Sequence, residues 1–82
     1  MAIAELSCVR LRSGRVEHAY KHAADEGWEP ASGLEGTVVH AYPGVPLYTV
    51  EITAPPDGRT LALLDVREED LEVTWTPGQQ VG

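Results

Sequence analysis

The 82-residue chain has no phenylalanine, one cysteine, and only six lysines and arginines against thirteen acids. Each scarcity excludes something. A single Cys8 forms neither an internal disulfide nor a cysteine metal cluster. The few bases are Arg10, Arg12, Arg15, Lys21, Arg59 and Arg67, in a chain of net charge −7. Nucleic-acid binding draws most of its affinity from clustered cations on phosphates. Only Arg10, Arg12 and Arg15 lie close together, so that class is disfavoured. No apolar run approaches the roughly 20 residues of a membrane span. The start, MAIAELSCVRLR, lacks a basic segment followed by a long apolar one. A cytoplasmic protein with no membrane partner is the expectation. Repeats and low-complexity tracts are absent. Gly33-x-x-Gly36 lacks the Lys-Ser/Thr of a phosphate loop, and Ala19 follows His18 where a zinc protease would place its glutamate.

What is present reads as one small folded domain. The chain is 43% hydrophobic and 23% charged, and its apolar residues recur in ordered segments. Glycine and proline fall mostly between those segments, the punctuation of short strands and turns. Around Val9 and Leu11 the apolar positions alternate with Cys8, Arg10 and Arg12, which predicts a strand over 6–12. Gly36-Thr37-Val38-Val39-His40-Ala41-Tyr42 is rich in β-branched and aromatic residues and runs into the turn pair Pro43-Gly44. In the next segment Tyr48, Val50 and Ile52 share one face, and Thr49, Glu51 and Thr53 the other. Pro55-Pro56-Asp57-Gly58 predicts a turn. The segment 59–66 is apolar on both faces, as the most central strand would be. Arg67-Glu68-Glu69-Asp70 suits one 3₁₀ turn with Glu69 or Asp70 facing water, and 71–75 alternates again as a fifth strand.

Ser13-Gly14 marks a turn, and the stretch after it carries a different period. Val16, Ala19, Tyr20, Ala23 and Ala24 form a helical stripe, and Glu17 and Lys21 are spaced as a helix ion pair. A short helix or an irregular loop over 15–26 is expected, ending at Gly27 and Pro30. The fold class is therefore mainly β. It is a small five-stranded antiparallel Src-homology-3-like barrel with a helical or irregular insert, 13–33, after the first strand. Barrel closure would remove the edges that an open five-stranded sheet exposes. The domain spans 1–75, and 76–82 reads as a flexible tail.

Three motifs carry a family resemblance: Gly36-Thr37-Val38-Val39, Tyr48-Thr49-Val50-Glu51 and Gly58-Arg59-Thr60. With Glu5–Leu11 as an opening strand and Asp70-Leu71 near the end, the chain resembles the bacterial family catalogued as domain of unknown function 4926. The likeness is good over 34–73 and loose before it. Members have a shorter link after the first strand, and often a Phe where this chain has Ile52. The resemblance implies a small barrel and carries no activity over to particular residues. An antitoxin or immunity role is the expectation it suggests.

Candidate sites follow from the residues. His18 and His22 with Asp25 or Glu26 would share a helix face and could hold a divalent metal, but two exposed histidines are the simpler reading, and no cofactor is expected. Cys8 with His18, His22 or His40 makes a nucleophile and base on paper. A thiol in the middle of an apolar strand is instead a small hydrophobe. Glu68, Glu69, Asp70 and Glu72 form an acidic run, read first as a solvated face and second as a surface for a basic partner. Trp28 and Trp75 are either interface residues or covers for the barrel ends. The expected function is a non-enzymatic protein-interaction module that meets a basic partner protein through Trp28, Glu68, Glu69, Asp70 and Trp75. The alternative is an accessory subunit of a larger enzyme. A homodimer through an edge strand is a further expectation.

Overall fold

The computed structural model describes residues 3–12, 18–30, 33–54 and 58–78. The predicted turns at Ser13-Gly14 and Pro55-Pro56-Asp57, Val16 and Glu17 of the helical stripe, and 79–82 of the tail lie outside them. The described residues form six strands: β1 (Cys8–Leu11), β2 (Tyr20–Ala24), β3 (Glu35–Ala41), β4 (Leu47–Ala54), β5 (Arg59–Arg67) and β6 (Leu71–Trp75). A 3₁₀ turn, Glu68–Asp70, joins β5 directly to β6. All ladders are antiparallel, in one sheet of order β2-β5-β4-β3-β1-β6.

Alternation decides the faces. Tyr48, Val50 and Ile52 of β4 and Ala62, Leu64 and Val66 of β5 are buried on one side, joined by Val9, Leu11, Val38 and Leu71. The pairs Val38↔Val50 and Val50↔Leu64 keep these side chains in register across the sheet. Gly36 allows β3 to lie this close to β4. A Cβ there would stand 2.6 Å from the Glu51 carbonyl oxygen and 2.7 Å from side-chain atoms of Val50 and Ile52.

Three expectations are corrected. The sheet has six strands, where five were predicted, and it is not closed by a ladder from β2 to β6. The predicted helix over 15–26 is absent from its described part, where residues 20–24 form β2. A two-to-three-turn helix pays a nucleation cost that few local bonds repay. The outer side of β5 instead offers a ready ladder, pairing Tyr20 with Asp65 and Ala24 with Ala62. Finally, β5 is not the most central strand. It stands second from the β2 edge, with β2 and β4 on either side.

Candidate interaction surfaces

The acidic run separates into four environments. Glu68 is half-buried. The Ile3 amide donates to Tyr48 Oη (2.9 Å), and the Tyr48 hydroxyl donates to Glu68 Oε1 (2.9 Å). The Ile3 amide pulls the Tyr48 pKa down, but burial and the Glu68 carboxylate outweigh it, leaving the phenol raised above its ordinary value. Glu69 is exposed, 3.9 Å from the Arg67 guanidinium. Asp70 was expected in the solvated run and is instead fully buried. The tight 3₁₀ turn swings it inward, where its carboxylate lies 3.4 Å from His18 Nδ1 and its carbonyl accepts from the Arg12 amide (2.9 Å). Glu72, on β6, lies 3.6 Å from Arg10. These carboxylates do not form a single face.

The histidine spacing also dissolves once 20–24 is a strand. His18 faces Asp70, His22 Nδ1 lies 3.7 Å from Asp65, and Asp25 pairs with Arg59 at 2.7 Å. The predicted trio thus points to three different partners. Among the described residues no three His, Cys, Asp or Glu side chains converge as a metal site. Asp65 is a local hub, accepting from Tyr42 Oη (3.1 Å) and Thr49 Oγ1 (2.8 Å) as well as facing His22.

The two tryptophans part company. Trp28 is half-buried and packs against the core, after a turn closed by its own amide to the Asp25 carbonyl (3.0 Å). Trp75 remains 40% exposed. Its side is set by a bulge: Val9 pairs with Val73, but Cys8, one residue back, pairs with Trp75. Thr74 is the extra residue, and it breaks the alternation read from the sequence. Trp75 therefore shares a face with half-buried Cys8, away from Val9 and the core.

That outer face of β3, β1 and β6 has an order the sequence did not reveal. One row is Glu35, Arg10 and Glu72, with the guanidinium 2.7 Å from Glu35 and 3.6 Å from Glu72. The next is Thr37, Cys8 and Trp75. Beyond it, the bonds Leu6 N to Val38 O (2.7 Å) and Val38 N to Ser7 O (2.9 Å) extend the β1–β3 pairing and set Leu6 and Ser7 together opposite Val38. Leu6 is 62% and Val39 38% exposed. Leu6 has φ 72°, the only positive φ at a non-glycine residue among those described. It sits third in a turn over 4–7 closed by Ser7 N to Ala4 O (3.2 Å). Such a turn position normally belongs to glycine, so its usual sequence signal is missing. The Val39 bulge, seen as the register shift between Val38 and His40, is similarly silent.

A second feature is an open groove of 680 Å³. Ile3, Pro46, Leu71 and Val73 give it apolar walls, and Ser7, Arg12, Arg67, Glu68 and Glu69 add polar groups. No helix among the described residues is long and apolar enough to cross a membrane. In comparisons with known proteins, the chain matches no protein-family model, no curated protein and no solved structure.

Proposed function

We propose that the chain is a non-enzymatic protein-interaction module that binds a basic partner protein through the outer face of β3, β1 and β6. The observation that carries this reading is that Leu6, Val39 and Trp75, on or just before β1, β3 and β6, are all exposed, and that the same strands carry a row with two carboxylates and one guanidinium. Large apolar side chains gathered on a solvated face mark interaction sites, and tryptophan is a favoured anchor. The neighbouring row carries a net negative charge, and the whole chain carries −7. Both favour encounter with a cationic surface. Trp75 thus keeps the partner-binding role expected of it. Trp28 is assigned to packing, and Asp70, itself buried, to the contact with exposed His18.

Two features favour the non-enzymatic reading. Cys8 lies on a strand between Thr37 and Trp75, unlike the electropositive clefts that activate thiols. The carboxylates of Glu68 and Asp65 accept hydroxyl hydrogen bonds from Tyr48, Tyr42 and Thr49. The scaffold is read as a Src-homology-3-like barrel. The order β5-β4-β3-β1-β6, with a 3₁₀ turn before the last strand, supports that reading, with β2 as an added edge. The same order is compatible with the family resemblance and with cytoplasmic antitoxin-like or immunity-like roles.

A tagged pull-down from the native host, at low and high salt, tests the proposal. The expected result is one stoichiometric partner, lost at high salt and lost from Leu6→Glu and Trp75→Ala chains. A partner whose activity stops on binding supports the antitoxin-like role. An enzyme that gains activity supports the accessory-subunit alternative. No partner at either salt, or turnover by the isolated chain, overturns the reading.

A further inference from the structure

The groove beside β6 lies apart from the outer face, and its polar groups are unequally committed. Glu68 accepts from Tyr48, and Glu69 faces Arg67. Arg12 is exposed and has no ion pair among the described residues. Ser7 is fully buried, and its hydroxyl has no hydrogen-bond partner among the described residues. A buried polar atom without a partner is uncommon and calls for an explanation. Both residues line the same groove, whose remaining walls are largely the apolar Ile3, Ala4, Pro46, Leu71 and Val73. Its volume of 680 Å³ falls in the range of small-molecule sites, about 300–1,000 Å³.

We infer that this groove binds a small amphiphile with an apolar body and a single carboxylate. Arg12 supplies the charge that recognises the carboxylate. On ligand entry the buried Ser7 side chain turns toward the groove it lines, and its hydroxyl donates to the carboxylate. Leu71, Val73, Ile3 and Pro46 cover the apolar body. A cationic head is disfavoured because both groove carboxylates already face donors of this chain, leaving Arg12 as the uncommitted charge. This site is independent of the protein-binding face and would exist whether or not a partner protein is found.

The test titrates the full chain with octanoate, octanol and octylammonium below their aggregation concentrations, followed by calorimetry and by chemical shifts of Leu71 and Val73. Octanoate is expected to bind saturably, with octanol at least about tenfold weaker and octylammonium weaker still, as loss of a charge-assisted hydrogen bond implies. Arg12→Met keeps an apolar stem and removes the charge. It should bring octanoate affinity down to that of octanol while leaving octanol binding unchanged. Ser7→Ala should weaken octanoate binding severalfold. Equal binding of octanoate and octanol, unchanged octanoate binding to Arg12→Met, shifts confined to residues outside the groove, or no saturable binding would each overturn the inference. Arg12 is on the surface, so its variant is expected to fold, and circular dichroism verifies that.

Discussion

Leu6 bears a cost that its contacts do not explain. A left-handed backbone conformation costs a β-carbon residue about 1–2 kcal/mol, and Leu6, at φ 72° and 62% exposed, recovers little of it by burial. Glycine would relieve the strain but lose more chain entropy on folding, about 0.5–1 kcal/mol. Leu6→Gly is therefore expected to raise unfolding free energy by up to about 1 kcal/mol, read from urea midpoints, while weakening partner capture. A drop in both would mean that Leu6 is a packing residue. Ser7 gives a similar opposition of stability and binding. Removing a buried hydroxyl without a partner abolishes a desolvation penalty, so Ser7→Ala should stabilise the ligand-free chain by about 1 kcal/mol. Gly36 is the opposite case. Its missing Cβ would meet the Glu51 backbone oxygen at 2.6 Å, and backbone cannot step aside as a side-chain tip can. Gly36→Ala should cost about 1–3 kcal/mol, measured by the same denaturation, and an unchanged midpoint would show that β3 and β4 part readily.

At the scale of elements, β3, β4, β5 and β6 were legible because period-2 alternation and β-branched residues agreed with the turns between them. The 3₁₀ turn was legible from its charge and brevity. β2 was not. Tyr20-Lys21-His22-Ala23-Ala24 contains alanine and lysine, good helix formers, and all five residues are exposed, so no buried face marks a strand. Its ladder to β5 is a tertiary choice, absent from local propensity. The face proposed for partner binding was hidden for a related reason. The bulge at Thr74 turns Trp75 over, and strict alternation across 71–75 conceals it. The strand assignment of β2 has a direct test. Ala23→Val should stabilise the chain by a few tenths of a kcal/mol if 20–24 is a strand. In a helix, the same change would destabilise by about 0.5 kcal/mol. Thermal melts of the two chains at fixed pH and salt separate the signs.

For the molecule as a whole, one phenol ties separate regions together. Tyr48, on β4, accepts from the amide of Ile3 and donates to Glu68 in the 3₁₀ turn. It therefore links the segment before β1 to the connection between β5 and β6. Burial and the Glu68 carboxylate raise its pKa above the ordinary tyrosine value despite the opposing Ile3 amide. In the unfolded chain the phenol titrates near 10. Above that pH the unfolded state has lost its proton while the folded state still holds it, so the unfolded state binds fewer protons and stability falls as pH rises. The contribution is complete below about pH 10 and is lost as pH climbs through the raised value. Tyr48→Phe lacks this proton. It should be less stable near neutrality by about 1–2 kcal/mol, for the lost hydrogen bonds, and should lose less further stability between about pH 9 and pH 11. Urea midpoints of both chains across that range measure the difference. Parallel decline in the two would mean that groups other than the Tyr48 bridge set the alkaline limit of the fold.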